Sequence, residues 1–317
     1  MQMGFISGLF GYVLNWLYEL FNNYGIAIIL FSILLRVILI PITIRQQKTM
    51  KKSAKLQSKM AEIQKKYKND PEKLNQETIA LYKNEKMSPF SGCLSSILQL
   101  VIILSVFWLV SQPLTYMKKI NPELIEKYTQ ELQEQGSTRS GYIQIAVIQN
   151  AETRYQEITK QLEDENVENR EELETQREEY NQLRLNMNFL GIDLSKVPTQ
   201  SLNDWRVYII PVLYVITSFI SIKLTTETQN KKKEKDNIEP KNEKEVQAEE
   251  PDPMEQMQAM NKNMTYMMPI MSVTIAVIAP LGLALYWFVS NVLMIIERVF
   301  INKIMENKEE EEESTNA

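Results

Sequence analysis

Arg36 stands near the middle of a 20-residue apolar run, Gly25 to Ile44 (GIAIILFSILLRVILIPITI), and is the only charge in it. A cation at the centre of a bilayer costs about 2.5–3.5 kcal/mol on insertion scales, so its side chain belongs toward a bundle interior or a wet cavity. No Asp or Glu is expected inside a span to pair with it. Glu297, at the cytoplasmic end of the last apolar run, is expected about 20 Å away along straight helices. The expected partners are therefore water and the neutral groups of Ser32, Ser96, Gln99, Ser105, Thr217, Ser218, Ser290 and Asn291. An unpaired arginine among such groups describes a hydrated cavity of positive potential, which would attract acidic or polar groups of a passing ligand. The plainer alternative is an arginine that ties helices together through backbone carbonyls. The individual Ser and Thr equally suit bonding their own i−4 carbonyl.

Other chemistry is excluded by composition. The chain has no His and one Cys, Cys93. Imidazole general-base catalysis, Cys/His zinc sites, internal disulfides and thiolate–imidazole pairs are all unavailable to it. No enzyme activity, metal or cofactor is expected.

The elements that must position Arg36 are read from the distribution of charge. With 317 residues, 44% apolar and 24% charged, and a mean hydropathy of −0.26, the averages resemble those of a soluble protein. The apolar residues, however, sit in long blocks apart from the charges, whereas a globular domain mixes both on every amphipathic element. A span needs roughly 20 mostly apolar residues. Five are expected, over 24–45, 91–113, 204–224, 263–280 and 281–303. The last two come from one block, Met264 to Ile296, of 33 residues without a charge. As a single helix it would run about 50 Å, too long for one crossing. A break at Pro280-Leu281-Gly282 divides it into two short spans of roughly 16–18 residues, which imply tilt or local bilayer thinning.

Charge sets the orientation. Residues 45–86 hold 12 Lys/Arg against 5 Asp/Glu, and residues 118–204 hold 10 against 17. By the positive-inside rule the first segment is cytoplasmic and the second lies outside, giving N-out/C-in. In the N-terminal segment 1–23, Asn15, Glu19, Asn22 and Asn23 form a polar stripe, which reads as an amphipathic interfacial helix, with a sixth span as the alternative. Within 46–90, Leu56, Met60, Ile63 and Tyr67 share a helical stripe, and Asp70-Pro71 opens a second helix, so a basic helical hairpin is expected. It reads as a solvated topological determinant or as a docking surface for anionic lipid, ribosomal RNA or a protein. The acidic insertion 114–203 is expected to hold one or two amphipathic helices, paired around Gly136 to Gly141, with too few large apolar residues for a full core. The loop 225–262 and the acidic tail 304–317 are expected to lack fixed structure.

Phe107, Trp108, Tyr286 and Trp287 are candidate lining residues of the cavity. Met264, Met267 and Met268 belong to a methionine series at helical spacing, suited to unspecific apolar contact or to ordinary lipid-facing packing.

Several segments also carry a resemblance. Tyr24-Gly25 through Pro41 with Gln46-Gln47-Lys48, Ser88-Pro89 to Gly92-Cys93-Leu94, and Phe189-Leu-Gly-Ile-Asp-Leu194 resemble, in order, the YidC/Oxa membrane protein insertases. Met267-Met268-Pro269, Gly282-Leu-Ala-Leu-Tyr286-Trp287 and Ser290-Asn291 complete the set. The resemblance implies an all-α five-span core in which Arg36 lies in a hydrophilic groove, open to the cytoplasm and lipid and closed to the outside. Ser32, Gln99, Ser221, Tyr286, Trp287 and Ser290 would share that groove. It also implies nascent membrane proteins as clients, received from the ribosome alone or with the Sec translocon, in a bacterial plasma membrane, by a protein that works as a monomer.

The chain departs from the family's pattern in three places. Many members have a Gln near Ser221, so that contact is weaker or absent here. Many end in a basic tail, whereas Glu309 to Glu313 make this one acidic, and tail-mediated ribosome binding does not carry over. The lipoprotein Cys that often opens Gram-positive members is not found. With the resemblance, an insertase that makes and breaks no covalent bond leads, and a small anion channel or transporter using Arg36 as its binding charge is the alternative.

Overall fold

The computed structural model describes residues 2–67, 70–85, 91–136, 142–164, 167–235 and 274–315. The chain is built almost wholly of helices: α1 Gln2–Phe21, α2 Tyr24–Lys66, α3 Pro71–Asn84, α4 Ser91–Ser111, α5 Pro113–Tyr116, α6 Pro122–Glu134, α7 Ile143–Leu162, α8 Arg170–Leu183 and α9 Ile209–Lys235. A further helix, α10, is described over 274–278, and α11 runs Leu281–Thr315. One tight hairpin interrupts them, pairing β1 Asn188–Phe189 with β2 Ile192–Asp193. Among the described residues three helices are long and apolar enough to cross a bilayer, over Tyr24–Thr49, Trp205–Leu224 and Leu281–Ile301, and the chain is an all-α membrane protein. In α4 the described apolar stretch is Leu100–Ser111.

Helices α2, α9 and α11 overrun the expected ends of their spans. Apart from the ring of Pro41, nothing in the sequence after α2's apolar run disfavours helix, and the Lys/Gln/Met-rich stretch that follows has high helix propensity. The helix therefore continues through Pro41 to Lys66. It then turns into α3, where the Asp70 carboxylate accepts from Lys73 N at 3.0 Å with Pro71 at the first helical position, as the sequence leads one to expect. The loop expected from residue 225 starts as helix up to Lys235, and the acidic tail continues α11 to Thr315. Glu and Lys are good helix formers, and a helix already nucleated in the bundle extends at little cost. The remainder of that loop lies outside the described residues.

The break expected at Pro280 is present. Helix α10 ends before Ala279, and the first free amides of α11 are satisfied by a distant loop. Leu281 N donates to Lys196 O and Gly282 N to Leu194 O, both at 2.9 Å. The two short spans expected on either side are corrected for the second of them. Leu281–Ile301 is 21 residues, about 31 Å of helix, which is long enough for a full crossing.

Helix α1 packs across α2 and α4. Leu14 is buried in the common core with Tyr24, Ala27, Ile28, Val106 and Leu109. Phe10 meets Phe31 edge-on at 5.6 Å, and the Ser7 hydroxyl donates to Ser105 O at 2.9 Å. Gly11 allows α1 to touch α5: a Cβ there would stand 1.8 Å from Tyr116 O. Gly11→Ala should therefore push α1 off α5 and cost about 1–3 kcal/mol. A lowered thermal midpoint in detergent would show this, and an unchanged midpoint would contradict the packing.

The insertion departs most from expectation. It holds three helices, not one or two, and they are not core-poor. Ile125, Tyr128, Leu132, Ile145, Val147, Ile148, Ile158, Leu162, Tyr180 and Leu183 are buried in the same continuous cluster as the span ends. The apparent shortage of apolar volume is met by the segments that flank these helices within the insertion, through Leu114, Met117, Leu185, Met187 and Leu194.

Candidate functional site

Arg36 is not unpaired. Its Nη1 lies 3.2 Å from Glu297 Oε2, and its Nη2 donates to Ser290 O at 3.1 Å. The arginine side chain keeps 19% of its surface exposed, while the glutamate keeps 7%. This overturns the separation of about 20 Å expected between them. The cause is that α2 and α11 both start at the same end of the bundle and run side by side. Arg36 is 12 residues into α2, about 18 Å, and Glu297 is 16 residues into α11, about 24 Å. The reach of the arginine covers the difference. Because α11 continues well past residue 296, Glu297 is inside the span and not at its end.

The other expected groove residues divide into three groups. Ser290 and Tyr286 are gathered with Arg36: the Ser290 carbonyl receives the guanidinium, and Tyr286 is buried and hydrogen-bonded to the Ser290 side chain. Ser32 sits one turn earlier on the Arg36 face of α2, buried, with its hydroxyl donating to Ile28 O at 2.7 Å, which is the local i−4 bond.

A second group lies at the α9–α11 contact. Asn291 Nδ2 donates to Thr217 Oγ1 and Ser218 Oγ, each at 3.2 Å, and Trp287 packs on Tyr214 with ring centres 6.3 Å apart. Ser221 is half-buried on α9, and its carbonyl accepts from Arg298 Nη1 at 3.5 Å.

The remaining residues are not brought to Arg36. Ser105 bonds Val101 O and receives Ser7, on the α1 side of α4. Phe107 packs edge-on against Trp108 and Tyr142, next to the insertion, and Trp108 is exposed. Gln99 lies on α4, and the side chains of Gln99 and Ser96 are outside the described set, as are Met264, Met267 and Met268 altogether.

Sequence reasoning misplaced Glu297 and passed over Arg298. Their signal was present, since a carboxylate and a cation interrupt an apolar helix that resumes with Val299, Phe300 and Ile301. Glu297 Oε1 is buried with no hydrogen-bond partner among the described residues. The ion pair is thus satisfied on one oxygen only, and an Arg–carboxylate pair in this state is open to a competing donor or acceptor. Around it the helices are bare: Ile33, Leu34, Val37 and Ile38 on α2, and Ile296, Val299 and Phe300 on α11, are exposed. A polar pair flanked by uncovered apolar faces offers contact to a polar group and to an apolar segment of the same incoming chain.

The insertion carries a second charged cluster, with a structural role. Arg184 clamps Glu152 through Nε at 2.6 Å and Nη2 at 3.1 Å, and stacks over Tyr155 at 3.9 Å. The Arg184 hydrogen bonds hold the Glu152 carboxyl below its ordinary value of 4.5, against the upward push of partial burial. A depressed folded pKa stabilises the fold above the unfolded value and loses that contribution as pH falls through the folded one. Acidification below pH 4.5 should therefore loosen α7 against the segment after α8, seen as faster hydrogen exchange there. Glu152→Gln should remove that pH dependence.

A helical bundle with a cation–carboxylate pair inside its apolar helices is the polar site of a membrane protein. The chain matches the family model described as 60Kd inner membrane protein over residues 16–309, and it belongs to that family, the YidC/Oxa group resembled by its motifs. Among its relatives is the "Membrane protein insertase YidC" of Fusobacterium nucleatum, 26% identical over 292 residues, 92% of each chain. The protein of the same description from Caldanaerobacter subterraneus is 41% identical over 105 residues, 33% of this chain and 51% of that one. That of Syntrophobacter fumaroxidans is 40% identical over 103 residues, 32% of this chain and 19% of that one. The matched region thus spans about half of the second of these relatives and a fifth of the third.

Proposed function

We propose that this protein is a membrane protein insertase: it takes nascent membrane proteins into a polar intramembrane groove and releases them sideways into lipid. The observation that carries the reading is the Arg36–Glu297 pair, half satisfied and flanked by bare apolar faces. In this account an acidic group of the substrate's translocated tail competes with Glu297 for Arg36, and the displaced Glu297 carboxylate takes a proton or a water contact, a cost that the substrate's own contacts must offset. Meanwhile the substrate's apolar span moves along Ile33, Val37 and Phe300 into the bilayer. Its burial, about 25 cal/mol per Å² of apolar surface, supplies the driving force. No covalent bond is made or broken.

The architecture that goes with this reading has five spans, N-out/C-in. Helix α1 lies in the interface, α2 continues into a basic cytoplasmic hairpin with α3, and the insertion caps the outer ends. The fourth span precedes Pro280. Clients arrive from the ribosome, with or without the Sec translocon, and a monomer in a bacterial plasma membrane suffices. The pairing of Arg36 weighs against an anion channel, because Glu297 cancels the charge that such a channel would use.

Reconstitution tests the function. Vesicles containing the purified full chain should protect the tail of an inserted single-span protein from external protease, and empty vesicles should not. Equal protection in both would sink the reading.

A further inference from the structure

The hairpin between α8 and α9 has a feature that the insertase reading does not use. Its register pairs Phe189 with Ile192, leaving Leu190-Gly191 as a two-residue loop, and both loop residues have positive φ, 52° and 79°. Such a loop favours Asn-Gly or Gly-Gly, because a branched side chain in the left-handed region is strained. A leucine sits there nonetheless, 86% exposed. Among the described residues nothing covers it, so neither the strain nor the exposure is offset by packing there.

The height of this leucine relative to the membrane is fixed twice. Asn23 Nδ2, at the cap of α2, donates to Asn188 O at 2.8 Å, tying the base of the hairpin to the start of the span Tyr24–Thr49. Arg206 Nη1 donates to Gly191 O at 3.2 Å, tying its tip to the start of the span Trp205–Leu224. Beside it, Leu202 and Trp205 are 70% and 72% exposed. The patch is continuous with the bare face of α9 below it, Val212, Ile216 and Phe219. Arg206, with its side chain largely exposed, pairs with Asp204 at 3.8 Å, and Asp204 in turn holds Lys196 at 2.9 Å, so the charged groups beside the patch are two cations and one carboxylate.

We propose that Leu190, Leu202 and Trp205 form an anchor that dips into the bilayer interface on the insertion's side, with Arg206 facing lipid phosphate. The occupant is lipid, because the patch begins where two spans begin and runs into the exposed apolar face of one of them, Val212, Ile216 and Phe219. An aromatic ring and a cation at that level match the interfacial preferences of Trp and Arg. The anchor holds the insertion against the membrane and so fixes its tilt over the span ends. It requires only that the two spans cross the bilayer, and its failure would leave the insertase reading standing.

The test uses the full chain with Cys93→Ser and a nitroxide on L190C, in vesicles of phosphatidylethanolamine and phosphatidylglycerol. The label should collide with lipid-soluble oxygen several-fold more, relative to a water-soluble nickel chelate, than a label on E172C, which projects from the insertion. A label on L202C reads the same patch without touching the turn and should behave as the one at 190. Chelate access at 190 and 202 equal to that at 172 would place the patch in water and overturn the anchor. Shielding from both reagents would show that protein covers the patch, and would overturn it equally.

Discussion

Arg36→Ala lowers insertion of a substrate with an acidic translocated tail by tenfold or more, while Arg36→Lys retains most of it. The expectation follows from what each variant leaves behind. A charge pair at about 4 Å in a half-wet site is worth about 4 kcal/mol before desolvation. A tenfold loss in rate needs only about 1.4 kcal/mol of that. Alanine leaves both Glu297 and the substrate carboxylate without a cation, whereas lysine keeps the charge and loses only the fork. Insertion rates for substrates with acidic and with amide tails, measured in vesicles, decide the matter. Equal loss with both substitutions would assign the role to guanidinium geometry, and full activity with both would remove the polar site from the mechanism.

The second large effect concerns Glu297. Removing one member of a fully buried pair costs about 3–5 kcal/mol, and the partial exposure of Arg36 screens this to about 1–3 kcal/mol. Glu297→Gln should therefore lower the unfolding midpoint in detergent and yet speed insertion of acidic tails, because the resident competitor for Arg36 is gone. Arg36→Leu with Glu297→Leu should recover stability, since neither charge is left alone, and should remain inactive. A Glu297→Gln variant that is both destabilised and slower would mean that the pair only holds helices together.

Much of this site was legible before any coordinates, and the part that was not has a definite cause. Arg36 announces itself, because one charge in an apolar helix is costly wherever the helix packs. The break at Pro280 and the Asp70-Pro71 helix start are local signals and were equally plain. Glu297 was misplaced because depth depends on where α11 starts and which way it runs. That start is set by Leu281 N and Gly282 N bonding Lys196 and Leu194, some 85 residues earlier in the chain. The insertion was misjudged for a similar reason. Its helices look core-poor when counted alone, and they are completed by residues such as Leu114 and Leu194 in the segments of the insertion that flank them. The helical continuation of α9 and α11 follows from propensity, which a reading by charge runs undervalues.

The central claim is that an acidic substrate group meets Arg36 while the apolar segment beside it meets the bare face of α2. A photoreactive residue in place of Ile33, exposed one turn before Arg36, tests it most directly during synthesis of a single-span substrate. The account predicts a crosslink to the nascent span that weakens sharply when the tail carboxylates are changed to amides, and again with Arg36→Ala. A crosslink indifferent to both changes, or none to the nascent chain at all, would contradict it.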